Sequence, residues 1–302
     1  MSRTKLVVTV AMVAVMLAAG SAAFAAPQPP DEPQPGQQQQ PSPGPGIVGG
    51  SNVPDSNKYP FVAALLDTRK PGSTFDQFTC GGSLIDSDSV LTAAHCVHSI
   101  FPRNLSVVVG RAQLSTNEGQ LREATRIYIP DGYNYTRVSK NDVAVIKLRS
   151  AVTGITPVRI PLSTENGYEQ AGKLQTVAGW GSMTAGGSYP DQMQEVKVPV
   201  VSDAEGEKVF GSQFVPELMI AAGDASRSHC KGDSGGPLFT SFPRFGKAPV
   251  GGSAPLPPRP SYQYGIASFA KLSGKQCGVD PAAFTEVNAP SIREFITTSM
   301  NK

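Results

Sequence analysis

Cys230-Lys231-Gly232-Asp233-Ser234-Gly235-Gly236-Pro237 is the stretch on which the fold turns. It sets one serine hydroxyl among glycines and beside an aspartate. Glycine at 232 leaves a backbone amide approachable where a side chain would block it. Acyl transfer through serine needs more: a base to take the hydroxyl proton, a carboxylate to orient that base, and donors for the oxyanion. The chain has only 3 histidines, so the search for a base is short. His95 sits in Leu91-Thr92-Ala93-Ala94-His95-Cys96, His98 follows in a polar stretch, and His229 precedes Cys230. A lone histidine is more often structural than reactive, and His98 is read that way. Asp142 taken alone reads as a turn aspartate ahead of a strand.

Outward from this stretch, 302 residues allow one or two domains. The balance of 26 Lys+Arg against 24 Asp+Glu gives no electrostatic case for nucleic acid or an anionic membrane as partner. With 31 Gly, 27 Pro and few charges, the composition suits a turn-rich β protein. Arg3 and Lys5 precede an apolar run from Leu6 to Ala19, and small residues end in Ala23-Phe24-Ala25. That is the form of a secretory signal over 1–25. The alternative, a membrane anchor, needs a run long enough to cross about 30 Å of hydrocarbon, and this one is short. Secretion to an extracellular, oxidising compartment is therefore expected, and 4 cysteines then make two disulfides.

Residues 26–46, with eight Pro and six Gln, have almost nothing to bury and read as an extended spacer or propeptide. From Ile47 the texture changes. Short apolar or alternating runs bounded by Gly, Pro, Asn and Asp predict strands at Phe61–Leu66, Ser83–Ile85, Leu105–Val109, Val143–Leu148, Leu174–Ala178, Val196–Val201 and Tyr264–Phe269. Pro290–Met300 is the one predicted helix, with Pro at its start and Ile292, Phe295 and Ile296 at helical spacing. Many strands and a terminal helix mean an all-β sandwich or barrel. Periodicity goes no further.

The motifs go further. Leu91–Cys96, preceded by Cys80-Gly81-Gly82-Ser83-Leu84-Ile85, resembles the histidine region of the trypsin and chymotrypsin-like serine proteases. Cys230–Pro237 resembles their nucleophile motif, and Asn141–Leu148 the segment that carries their aspartate. Ile47-Val48-Gly49-Gly50 is similar to their mature amino terminus, and Ala178-Gly179-Trp180-Gly181 to a further family segment. The order His, Asp, Ser is that family's order. The resemblance spans 47–302 outside insertions and implies two packed antiparallel six-stranded β-barrels with a C-terminal helix. It also implies a serine endopeptidase that needs no cofactor and acts on protein or peptide substrates. His95, Asp142 and Ser234 would be its triad, and the Gly232 and Ser234 amides its oxyanion hole.

By the same resemblance, cleavage before Ile47 would free an ammonium that pairs with Asp233 and orders the Gly232 amide. Gly46 precedes that junction, so a trypsin-like activator is not expected and the activating protease stays open. The family pairing would be Cys80–Cys96 and Cys230–Cys277, each closure contributing about 3 to 4 kcal/mol. Ala221 stands where a further bridge would have its second cysteine. The specificity pocket would have Ser228 at its base, Ser268-Phe269-Ala270 as one wall and Ala282 as the other. Without a carboxylate at the base, a cationic substrate side chain would lack a counter-ion. Small to medium uncharged residues are expected, with an acidic preference through His229 as the alternative. Pro-rich residues near 242–261 and the loop Lys271 to Gln276 lie close to these strands. Arg111 after Gly110 stands where the family's calcium loop would need a carboxylate, so no metal is expected. The chain gives no sign of oligomerisation, and a monomer is expected. A catalytically silent binding protein on the same fold is the rival reading.

Overall fold

Val62-Ala63-Ala64-Leu65-Leu66-Asp67 forms a strand buried at every position, which means that both of its faces are covered. One face looks into a closed barrel and the other is packed over. The structure is a computed structural model that describes residues 47–134, 140–162, 164–182, 184, 186–240 and 260–302. The predicted signal over 1–25, the segment 26–46 and nearly all of the Pro-rich insertion near 242–261 lie outside the described residues.

After a short β1 (Ser51–Asn52), six strands build the first barrel: β2 (Val62–Asp67), β3 (Phe78–Leu84), β4 (Ser89–Thr92), β5 (Leu105–Val109), β6 (Gln120–Tyr128) and β7 (Ala144–Leu148). They close in the order β2-β3-β4-β7-β6-β5. Two one-turn helices interrupt them, α1 (Thr74–Gln77) and α2 (Ala94–Val97). The second half contributes β8 (Leu174–Gly179), β9 (Gln194–Pro199), α3 (Asp203–Phe210), β10 (Met219–Ala222), β11 (Pro237–Thr240), β12 (Tyr262–Ala270), β13 (Ala282–Glu286) and α4 (Pro290–Met300). Its sheet order is β1-β9-β8-β11-β12-β13-β10. A bridge between Val200 and Ala222 joins the ends of β9 and β10, with Val201 N donating to Ala221 O (2.9 Å) and Gly223 N to Pro199 O (2.8 Å). Strands β8 to β13 thus form the second six-stranded ring, and β1 adds to the free edge of β9.

The barrels meet through aromatic side chains. Phe239 of β11 packs edge-on against both Tyr59 (5.0 Å) and Phe61 (5.1 Å), which lead into β2. Trp180 is fully buried against Phe78 (5.8 Å) and donates its indole N–H to Ala112 O (3.0 Å). Helix α4 starts at Pro290 and buries Ile292 and Ile296. Lys147 of β7 holds its end, giving hydrogen bonds to Met300 O (2.9 Å), Asp88 Oδ1 (2.6 Å) and Ser89 Oγ (2.9 Å). Among the described residues no helix is long and apolar enough to cross a membrane.

The predicted helix matches α4 end to end, and each predicted strand run falls within or overlaps a strand. The sequence reading missed β1, β4, β6, β10, β11, β13 and most of β3. β10 (Met-Ile-Ala-Ala) and β13 (Ala-Ala-Phe-Thr-Glu) are alanine-rich, and alanine is a poor strand former. β6 is largely exposed and polar, so its pairing with β5 and β7 defines it, not its own pattern.

Candidate active site

His95 and Asp142 are 47 residues apart, and strand pairing closes the gap. β4 runs antiparallel to β7, with Thr92 opposite Ala144. His95 follows β4 on α2, and Asp142 precedes β7. Between them the backbone of Asn141 takes φ 56°, a left-handed turn that asparagine tolerates. Asp142 is fully buried. Its Oδ1 accepts from the His95 backbone N–H (2.9 Å) and its Oδ2 from His95 Nδ1 (2.8 Å). The proton thus sits on Nδ1 and the lone pair on Nε2.

Two groups from the second barrel complete the hold. Ser268 Oγ donates to Asp142 Oδ2 (2.5 Å), and Thr285 Oγ1 donates to its backbone carbonyl (2.9 Å). The register of β12 on β13 slips between Ala267 and Phe269, a bulge that re-aims Ser268 out of the ladder. Burial is the largest single influence on the Asp142 carboxyl and pushes its pKa up. Hydrogen bonds and charge from His95, with the Ser268 hydroxyl, outweigh it and hold the group below the usual carboxylate range.

Ser234 lies in the turn that opens β11. Its carbonyl accepts from Gly81 N of the first barrel (2.8 Å), and Gly235 N donates to Ala267 O (2.8 Å). Gly235 has φ 79°, and a Cβ there would fall 2.2 Å from Thr92 Oγ1, so glycine lets the turn seat directly on the segment leading to His95. Ser234 Oγ makes no hydrogen bond to His95 among the described residues; the nearest partner of Nε2 is Cys96 Sγ at 3.7 Å. Hydroxyl–imidazole contacts of this kind are often loose before substrate arrives. Cys80, Cys96 and His95 bring ligand atoms within 4.8 Å of one another. The sulfurs are joined as Cys80–Cys96, so no thiolate is there to bind a metal.

Gly232 adopts φ 99°, and a side chain would strike the Tyr189 ring at 2.7 Å. Neither its amide nor that of Ser234 has an acceptor among the described residues. Unpaired amides are rare in folded proteins; here two flank one hydroxyl. Asp233 between them is buried, with Oδ1 on Gly181 N (2.8 Å) and Oδ2 on Cys230 N (3.0 Å). A Cβ on Gly181 would lie 2.1 Å from this carboxylate, which explains the Gly-Trp-Gly segment. Burial raises the Asp233 pKa to about 7 against those two bonds. Ile47 is buried within the second core, and Val48 bridges to Ser228.

Cys230–Cys277 is bonded as the resemblance implied. Ser228 and Ala282 are fully buried, and Ala270 and Ala282 are direct cross-strand partners. The His229 ring lies edge-on to Phe284 at 4.9 Å. The backbones of Ala283 and Cys230 are its polar neighbours and favour its charged form, but neither ring nitrogen, nor Ser228 Oγ, has a well-formed hydrogen bond among the described residues. Burial lowers the imidazole pKa to about 4. Phe269 packs against Phe210 of α3 (5.1 Å). His98 turns away towards Tyr133 (6.2 Å). Arg111 is buried in the loop between β5 and β6, donating to the carbonyls of Glu118 (2.6 Å) and Leu114 (3.3 Å).

The trypsin family model matches residues 47–296. The chain belongs to the trypsin family. It is 31% identical over 227 residues to the trypsin of Saccharopolyspora erythraea, covering 74% of this chain and 94% of the relative. It is 32% identical to Trypsin-1 of Astacus astacus over 65% of this chain and 83% of that one. Against human chymotrypsin-like elastase family member 1 it is 30% identical over 80% of this chain and 88% of the relative. This trypsin-family protein is a serine endopeptidase, a hydrolase of peptide bonds. The sequence reading assigned Ser268 to a pocket wall; the hydroxyl also binds Asp142, a role that depends on a bulge no local pattern announces.

Proposed function

We propose that the protein is a secreted precursor, with a signal at 1–25 and a propeptide at 26–46, whose protease domain starts at Ile47 and cuts peptides through Ser234, His95 and Asp142. The buried Asp142–His95 pair carries this reading, because two bonds to one carboxylate leave Nε2 as the basic nitrogen. Ser234 Oγ attacks the peptide carbonyl carbon and passes its proton to His95 Nε2. The oxyanion takes the Gly232 and Ser234 amides, where losing one donor costs about 10² to 10³ in rate. His95 then protonates the departing amine, and water, deprotonated by the same imidazole, hydrolyses the acyl-enzyme. Asp142 stabilises the imidazolium throughout.

Activation follows from Asp233. It is a buried carboxylate with two amide donors and, among the described residues, no cation. A new ammonium on Ile47 would supply the charge and fix the turn that presents the Gly232 amide. An active-site-directed phosphonate should label protein that begins at Ile47, and Ser234→Ala should abolish the label. Correctly processed wild-type protein that takes up none would establish the silent binding protein instead.

For specificity, Ser228 and two alanine methyls favour small to medium uncharged residues before the cut bond; one methylene is worth about 1 to 3 kcal/mol of selectivity. The ring nitrogens of His229, without a well-formed hydrogen bond among the described residues, support a second reading, an acidic preference in which the neutral imidazole donates to the substrate carboxylate. A peptide-library profile separates the two. An acidic preference that survives His229→Ala removes the second.

A further inference from the structure

The disulfide beside His95 holds a second chemistry for the same imidazole. Cys80 lies on β3 and Cys96 on α2, 16 residues apart in sequence, with their Cα atoms 6.1 Å apart. β3 and β4 pair antiparallel, with Ser83 opposite Leu91, so the chain that leaves β4 brings α2 back over Cys80. Both cysteines are buried, while the His95 side chain keeps 22% of its surface exposed. The two sulfurs and a ring nitrogen of His95 all lie within 4.8 Å of one another, and Cys96 Sγ is 3.7 Å from Nε2. The opposite ring nitrogen, Nδ1, is taken by Asp142.

Joined to each other, the sulfurs bind no metal. Reduction changes that. A dithiol gives two electrons to the Cys80–Cys96 bond and closes its own disulfide, while its two thiol protons pass to the cysteine sulfurs. Two thiols then stand beside one imidazole. A metal takes the thiolate form, so a dication that binds here expels those two protons. Zinc bonds of about 2.3 Å to sulfur and about 2.0 Å to nitrogen, at a tetrahedral angle, put ligand atoms about 3.5 to 3.8 Å apart. The Nε2 to Sγ distance is already in that range. The freed sulfurs need only part, by rotation about their Cα–Cβ bonds. Asp142 supplies what a metal-bound imidazole usually has, a carboxylate on its other N–H that fixes the tautomer and raises its basicity.

We propose that reduction of Cys80–Cys96 opens a zinc site made of both thiolates and His95 Nε2, with a fourth position left to water. Thiolate and imidazole together suit zinc and exclude calcium or magnesium, which want oxygen. Two thiolates balance the dication. Disulfides close only in oxidising compartments, so the site belongs to the chain before that bond forms. Zinc there covers the lone pair that the proposed triad uses as its base. Hydrolysis is silenced while the chain is reduced, and oxidation to the disulfide releases the metal. The site rests on the geometry alone and departs from the expectation of no metal; the silencing rests also on the proposed role of His95.

The test uses the full chain, oxidised or reduced with a phosphine, which becomes its oxide by taking oxygen from water and competes little for zinc. Equilibrium dialysis should find one zinc on each reduced chain and none on the oxidised one. Cobalt, as a coloured substitute, should show thiolate charge-transfer absorption. The double variant Cys230→Ser/Cys277→Ser keeps only the first pair and should bind as wild type does. Cys96→Ser and His95→Ala should each lose most of the binding, and Asp142→Asn should weaken it about 10- to 100-fold. Where reduction alone unfolds the chain, zinc should restore its circular dichroism, since the metal ties the same two elements as the disulfide. A reduced chain that neither binds zinc nor refolds with it overturns the site, as does binding unchanged in Cys96→Ser and His95→Ala. Peptide hydrolysis by reduced protein starting at Ile47 should stop with zinc and return with a chelator. Hydrolysis that continues with one zinc bound overturns the silencing, whereas a protein inert in both states speaks against the triad, and the dialysis still decides the site.

Discussion

The hydroxyl of Ser268 is the third donor on a carboxylate that also holds His95 twice. In the proposed triad it would touch no reacting atom and would act as a positioning residue. Ser268→Ala should lower kcat about tenfold with KM little changed, the loss expected from one hydrogen bond to a charged group, about 1.5 kcal/mol. The pH profile tells this from a structural defect. With one stabilising donor gone, the Asp142 carboxyl titrates higher, so the acid limb of kcat should move up in pH. A variant with reduced activity and an unshifted limb would place the loss elsewhere. The pairing of His95 with Asp142 was foreshadowed in the sequence, and Ser234 could be proposed beside it, because each sits in a short motif whose neighbours are contiguous. The role of Ser268 was not, since it depends on Asp142 lying opposite a bulge 126 residues away.

At the level of elements, Leu105–Val109 was readable from branched apolar residues alone, whereas β10 and β13 rest on partners that their alanines do not advertise. α4 was readable end to end, but not what fastens it. Lys147, 13% exposed at its side chain, ties β7 to Met300 O and to Asp88 and Ser89. Lys147→Ala should therefore cost about 1.5 to 3 kcal/mol in a urea melt. Arg149, two residues on, pairs with Glu123 in the open, and Arg149→Ala should cost under about 1 kcal/mol. Equal losses at the two positions would mean that the helix end is not anchored through Lys147.

For the molecule as a whole, Asp233 makes the stability of the uncleaved chain depend on pH. Its carboxyl titrates near 7 when folded and near the ordinary 3.8 when unfolded. Between those values the folded chain binds more protons, so stability falls as pH rises from about 4 to 7 and is level above. Glu286, raised to about 8, adds a decline of the same sign. His229, lowered to about 4, acts oppositely, withdrawing stability as pH drops below 6.5. The difference between wild type and Asp233→Asn isolates the first of these and should amount to roughly 4 kcal/mol across the window. If activation runs as proposed, protein starting at Ile47 should show little of it, because the new ammonium would keep the carboxylate charged. A precursor whose melting tracks the Asn variant at every pH would contradict the uncompensated charge.

Each barrel also keeps custody of something the other needs. Gly81 of the first grips the carbonyl of Ser234, while Ser268 and Thr285 of the second grip Asp142. Neither lobe is self-sufficient, so prising them slightly apart disarms both together, with every strand still intact. On warming or in mild denaturant, hydrolysis would thus fade ahead of circular dichroism, and cooling would restore it without any refolding step.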